Sequence, residues 1–274
     1  MSAPGAEPLE IPLLRPPRRD LFRRRAERLR SLAPGHAAED FLAFLAQLVT
    51  AQAEVLEGLR LAEEGFALSD RGLPVSWRQA LAEVLAKVEG ANVPAGVRAT
   101  TAKLRTLGSS DLEALASRVV SGDTEKAEAA LVPFVGAALQ VVFTASAARP
   151  PPEVAVRSDG LCPVCGAPPV AGVVLGDDRL RYLACSLCGA QWHSTRLVCT
   201  TCGEVGRLTY YALEPRYVAV KAEACSACRT YLKLFYLERD SRVEPFADDA
   251  ATPALDLLVA AEGYARGGVN CLWA

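Results

Sequence analysis

Between Cys162 and Cys228 the chain repeats Cys-x-x-Cys four times, as CPVC, CSLC, CTTC and CSAC. Those 67 residues hold eight of the nine cysteines in a chain of 274. Two cysteines separated by two residues wrap a tight turn that aims both sulfurs at one point, and a tetrahedral ion takes four sulfurs at about 2.3 Å. A second Cys-x-x-Cys must therefore be carried back to the first. Nineteen residues separate Cys165 from Cys185, and 22 separate Cys202 from Cys225. Each stretch reads as strand, turn, strand, with the turns at Gly176–Asp177–Asp178 and at Glu214–Pro215. A hairpin returns its two ends to one place, so two tandem ribbons follow. The spacing C-x2-C-x19-C-x2-C fits the four-cysteine metal template, and x22 slightly exceeds it.

Cysteine makes up only about 3% of the chain, well below the roughly 8–10% of disulfide scaffolds. Thioredoxin-like dithiols show one such motif at a helix start, whereas four in knuckle context point to metal. The candidate ligands are Cys162, Cys165, Cys185 and Cys188 for one ion and Cys199, Cys202, Cys225 and Cys228 for a second, with nested or crossed groupings as alternatives. Gly166, Gly189 and Gly203 follow the second cysteine of three knuckles, where a positive φ favours glycine. The fourth knuckle has Arg229 there, which either strains the turn or brings a cation to a site of net negative charge. Cys271 reads as a partly buried tail residue and His193 as a packing or surface residue, while His36, at a helix start, carries no signal. No Ser-His-Asp arrangement or phosphate-cradling glycine loop is legible, and Asp248 and Asp249 read as a solvated turn or helix start. The expectation is a protein with no catalytic residues, not an enzyme.

The fold class expected is α+β: an N-terminal all-α domain, two rubredoxin-like or zinc-ribbon-like β modules and a C-terminal helix. Residues 1–19 read as a flexible segment and 20–150 as a helical domain. Residues 154–198 and 199–246 read as the two four-cysteine modules, and 247–274 as a helix and tail. From Phe41 to Leu59 apolar residues recur at three-and-four spacing, giving one helical stripe that needs a partner. Ser76 and Gly90 are expected to bound a second helix, and Ser110 with Glu113 suggests a capping box on another. The run from Ala129 to Ala148 is apolar nearly all round, as a buried core helix would be. Consecutive prolines in ARPPPE, from Ala148 to Glu153, break the pattern and mark the domain boundary. Beyond it come short β-branched and aromatic runs. Thr252 and Pro253 then open a last helix that is expected to close on Gly267 and Gly268.

A net charge of −2 and a pI near 5.9 lack the positive field of a general nucleic-acid binder. The Ala129–Ala148 run contains Pro133, Gln140, Thr144 and Ser146, a poor composition for a membrane span. Arg18 and Arg19 superficially suggest an export signal, but RRRAERLRSLAPG follows where an apolar stretch is needed. The arginine cluster is read as a solvated helix face, and the protein as cytoplasmic.

The ordered series LCPVCGAPPVAG, LRYLACSLCGAQWH, RLVCTTCG, VKAEACSACRTYLK, ADDAATPALDLL and EGYARGGVN resembles the FdhE family, accessory proteins needed to make active formate dehydrogenase. The resemblance runs over nearly all of residues 160–270. It implies a cytoplasmic maturation protein or chaperone that contacts the catalytic subunit of a molybdenum- or tungsten-dependent formate dehydrogenase. It also implies iron at the eight knuckle cysteines. Two departures stand out: Arg229 replaces a usual glycine, and NCLWA replaces an Asn-Pro-Phe ending, so Cys271 takes no family role. Spacing alone leaves iron and zinc open, since tetrathiolate sites accept both; the resemblance favours iron. The alternative function is a rubredoxin-like electron carrier or thiol oxidoreductase acting on the partner enzyme.

Overall fold

The computed structural model describes residues 11–59, 73–74, 76–91, 93–148, 159–176 and 180–273. Most of the proline-rich boundary and two residues of the first hairpin turn, Asp177 and Asp178, lie outside the described residues. In chain order the elements are β1 (Leu14–Arg15), α1 (Leu21–Leu32), α2 (Glu39–Gly58), α3 (Ser76–Glu89), α4 (Ala95–Thr106), α5 (Ser109–Ser121) and α6 (Val132–Ala147). The sheet half follows with β2 (Pro169–Leu175), β3 (Leu180–Cys185), β4 (Gln191–His193), β5 (Leu208–Tyr211), β6 (Val220–Cys225) and β7 (Thr230–Tyr236). It closes with α7 (Pro245–Ala250), α8 (Pro253–Ala261) and β8 (Ala265–Arg266).

The helical region is built around α6, in which 14 of 16 residues are buried. This is why its sequence shows almost no polar face. The stripe on α2 packs toward it through Leu42, Leu45, Leu48 and Val49, all fully buried. Gln52 lies in the same stripe, and its amide donates to the Ala137 carbonyl and to Gln140 Oε1, both at 3.0 Å. No helix among the described residues is long and apolar enough to cross a membrane. The expected capping box at Ser110 is not formed. The N-cap of α5 is Gly108, without a side-chain cap, because Glu113 is drawn instead to Trp77 Nε1 and the Arg78 guanidinium. A capping box does occur at Glu125 and Glu128, on the 3-10 turn Lys126–Glu128.

The two hairpins form as the cysteine spacing requires, with β2 antiparallel to β3 and β5 antiparallel to β6. They are not separate ribbons. A parallel pairing of β2 with β7 joins them in one sheet of order β1-β4-β3-β2-β7-β6-β5, with β8 alongside β7. Within the segment expected to be flexible, Leu14–Arg15 forms β1 against β4. The last helix stops earlier than expected. Here α8 ends at Ala261, Gly263 turns the chain at φ +79°, and Ala265–Arg266 continues as a strand parallel to β7.

Burial corrects two further expectations, the first only in part, because Arg18, Arg19, Arg23, Arg24 and Arg30 are exposed as expected. Arg25 and Arg28 of the arginine cluster are 1% and 8% exposed. Arg25 donates to Glu244 at 3.0 Å, and Arg28 pairs with Asp248 and Asp240. Asp248 and Asp249 are likewise buried rather than solvated. Asp249 accepts from Lys233, Arg266, Asn270 and Trp273. Charged side chains remain inside only when paired in this way.

Candidate metal centres

The knuckles share a local hydrogen-bonding pattern, each of its two bonds being present in three of them. The amide four residues after the first cysteine donates to that cysteine's carbonyl: Gly166 to Cys162 at 2.8 Å, Gly203 to Cys199 at 2.9 Å and Arg229 to Cys225 at 2.9 Å. The first cysteine's own amide donates one residue further on, from Cys162 to Ala167, Cys185 to Ala190 and Cys199 to Glu204. Closing so tight a turn demands a left-handed residue after the second cysteine. Gly166, Gly189 and Gly203 have φ of +81°, +72° and +75°, and Arg229 adopts +58°. Its guanidinium donates to the Glu262 carbonyl at 2.8 Å and lies 4.1 Å from the Tyr264 ring centroid.

The hairpins bring the knuckles together in sequential order, Cys162, Cys165, Cys185 and Cys188 in one group and Cys199, Cys202, Cys225 and Cys228 in the other. Nested or crossed groupings are not formed. In each group the ligand atoms all lie within 4.8 Å of one another. Sulfur separations are 3.7 Å for Cys162–Cys188, 3.4 Å for Cys165–Cys185, 3.6 Å for Cys199–Cys228 and 3.8 Å for Cys202–Cys225. Four thiolates about 2.3 Å from a common centre stand roughly 3.8 Å apart, so both groups have the size of a metal tetrathiolate. All nine cysteines are free thiols. Amides of Leu187 and Cys188 also point at Cys185 Sγ, each at 3.3 Å, supplying the donors that spread thiolate charge. No histidine joins either group among the described residues. His193 stands edge-on to Tyr182, and His36 Nε2 meets the Ala251 carbonyl.

The donor chemistry calls for a cation. Burial pushes the Cys185 thiol well above its ordinary range, and the Cys162 sulfur does the same to Cys188. Hydrogen bonds from Cys165, Cys185 and Cys188 hold Cys162 far below it. In the second group burial raises Cys199 to about 12. At Cys228 burial is outweighed by the Thr230 hydroxyl and amide, leaving the thiol at about 7. Four sulfurs so close cannot all ionise unaided; a divalent ion would let every one be a thiolate, so the donor set fits a metal.

Two residues beside the clusters are not tied to them by the sequence reading. Arg181 on β3 is fully buried and pairs with Glu223 at 2.6 Å. It also donates to the carbonyls of Thr195 and Val198, positioning the crossover that delivers Cys199. Cys271, expected to be partly buried, is 2% exposed, and burial lifts its thiol to about 12. Its sulfur donates to the Ser186 carbonyl at 3.0 Å and accepts from Gln140 Nε2 at 3.1 Å. Ser186 lies between Cys185 and Cys188, so the tail and α6 both grip the second knuckle.

Family models match in three consecutive pieces: FdhE, N-terminal, over residues 11–158; FdhE, central domain, over 161–196; and FdhE, C-terminal domain, over 197–273. A protein FdhE homolog of Pseudomonas aeruginosa is 39% identical, over 96% of this chain and 93% of the relative. One from Edwardsiella ictaluri is 36% identical, over 94% and 90%. The crystal structure of the FdhE protein from Pseudomonas aeruginosa superposes with a TM-score of 0.85 at 37% identity, covering 96% of this chain and 99% of that one.

Proposed function

The chain belongs to the FdhE family, and on that premise we propose that it is a non-catalytic accessory protein in the cytoplasmic maturation of formate dehydrogenase. It binds the catalytic subunit of a molybdenum- or tungsten-dependent enzyme, and its two sulfur quartets each hold a metal ion, iron in preference to zinc. The observation that carries this reading is the pair of quartets of tetrahedral size in a chain matched by the family models from residue 11 to 273. The ligands are Cys162, Cys165, Cys185 and Cys188, and Cys199, Cys202, Cys225 and Cys228. A bound ion supplies positive charge and a cross-link between the two ends of each hairpin. The chain's own part is to present the sulfurs: left-handed knuckle residues close the turns, amides point at Cys185, and Arg181 holds the crossover between the modules.

Affinity purification of the tagged chain from formate-grown cells should bring down the dehydrogenase catalytic subunit, and deletion of its gene should abolish formate dehydrogenase activity. A deletion strain with full activity removes the proposal. Metal identity is read by colour: ferric tetrathiolate is red after oxidation, and zinc is colourless. The exposure of Cys202 favours one second reading, an electron carrier for the partner enzyme, because it brings a metal centre to the surface. That reading requires a reversible one-electron couple in voltammetry of the iron-loaded protein.

A further inference from the structure

The two quartets differ in what surrounds the sulfurs. Cys162 and Cys165 are 1% exposed, and Cys185 and Cys188 are 0%. The turn after Cys188 is roofed by α1: a Cβ on Gly189 would lie 2.5 Å from Leu21 Cδ2 and 3.6 Å from Pro17 Cβ. Ser186, inside the same knuckle, is fixed at both ends. Its amide donates to the Pro168 carbonyl, and its carbonyl accepts from Cys271 and Gln140. The second quartet is built on the same turn without the roof. A Cβ on Gly203 would meet nothing within 4 Å, Cys202 is exposed and Cys228 is half-buried, although Cys199 and Cys225 are buried behind them. Ser226 and Ala227 of the fourth knuckle are also exposed.

Resting on the reading that both quartets hold ions, we propose that the second quartet is an exchange site, where an ion is taken up from and given up to a thiolate-bearing or chelating partner. Cys202 is the sulfur that lets go first, and the first quartet keeps its ion for as long as the fold lasts. Substitution at a tetrathiolate needs an incoming donor atom to reach the ion as one sulfur leaves. At Cys202 the incoming donor forms its bond while the Cys202 sulfur–ion bond breaks and its electron pair stays on the sulfur. Nothing is oxidised or reduced. At the first quartet the same approach requires α1 and the tail to come away from the sheet, so exchange waits for an opening of the fold.

The test charges the whole chain with cobalt(II) without oxygen and adds excess EDTA. The sulfur-to-cobalt absorption should fall in two steps of equal amplitude whose rates differ at least about ten-fold. Iodoacetamide added after the first step should mark Cys199, Cys202, Cys225 and Cys228 by peptide mass spectrometry, with Cys162, Cys165, Cys185 and Cys188 protected until the second. Cys202→Ser should accelerate the first step and leave the second unchanged. Loss of both ions in one step, or alkylation of first-quartet cysteines during the fast step, overturns the inference, as does a fast step indifferent to C202S. If C202S does not fold, the alkylation map of the unmodified chain decides. A chain that binds no cobalt with tetrathiolate absorption instead defeats the metal reading itself, and this inference with it.

Discussion

Arg229 shows what one residue must do to stand where its three counterparts are glycine. A left-handed φ costs an L residue about 1–2 kcal/mol, and the knuckle hydrogen bond from Arg229 to Cys225 holds it there. Against that cost stand the hydrogen bond to the Glu262 carbonyl and the stacking on Tyr264, worth about 1 kcal/mol and about 0.5–1 kcal/mol at an exposed position. The two sides nearly cancel. Arg229→Gly, which removes both, should therefore change stability by less than about 1 kcal/mol. Arg229→Ala keeps the strain and loses the contacts, and should be less stable by about 1–2 kcal/mol. Urea unfolding of the metal-loaded variants separates these outcomes. An R229A protein as stable as the parent would mean that the Glu262 and Tyr264 contacts contribute nothing. The sequence marks Arg229 as the odd member of the four knuckles, but the destination of its guanidinium depends on the turn after α8, which no local pattern places beside it.

At the scale of elements, α7 and α8 are held on the sheet by ion pairs as well as by apolar packing. Lys233 of β7 donates to Asp249 and Asp256, and Arg266 of β8 reaches the same two carboxylates. Burial alone would raise the Asp249 pKa, but Arg266 and Lys233 outweigh it and bring it down to about 2. A folded pKa below the unfolded value of about 3.9 contributes stability above that value, and the contribution disappears as pH falls from about 4 toward 2. Asp249→Asn leaves two buried cations short of a partner and should cost about 3–5 kcal/mol at neutral pH. The gap to the parent should narrow as pH falls from about 4 toward 2, where first the unfolded chain's carboxyl and then the folded one becomes neutral. A gap that persists undiminished at pH 2.5 would rule out charge as the cause. None of these pairings was legible in PFADDA, whose two aspartates read as a solvated turn or helix start because their partners are supplied by β7 and by the strand after α8. What could be read were features written into adjacent residues: the knuckles, the two hairpins, the α2 stripe and the all-apolar α6. The parallel pairing of β2 with β7 and the strand β1 are long-range, and the first of these turns two expected ribbons into one sheet.

Across the whole molecule, helices and sheet meet through buried polar contacts that make each half incomplete without the other. Arg25 of α1 bonds Glu244, which also caps α7 by accepting from Phe246 and Ala247, and Arg25 donates to Gln140 of α6. Gln140 in turn donates to Ser186 in the second knuckle. The tail seals the joint. A methyl on Gly136 would overlap the Cys271 carbonyl oxygen, so only glycine lets the tail lie against α6. Because the first quartet, the tail and α6 share these contacts, the loaded protein should unfold in a single transition, with helical circular dichroism and sulfur-to-metal absorption lost together. Gly136→Ala should force the tail off α6, destabilising the fold by about 1–3 kcal/mol or more, as overpacking against backbone does. Arg25→Met combined with Glu244→Gln removes the ion pair from both sides. If the pair couples the halves, each single change should cost about 3 kcal/mol and the double variant clearly less than their sum. The double variant should also lose its metal absorption at a lower urea concentration than its helical signal. Strict additivity, with both signals still falling together, would mean that the apolar contacts alone unite the two halves.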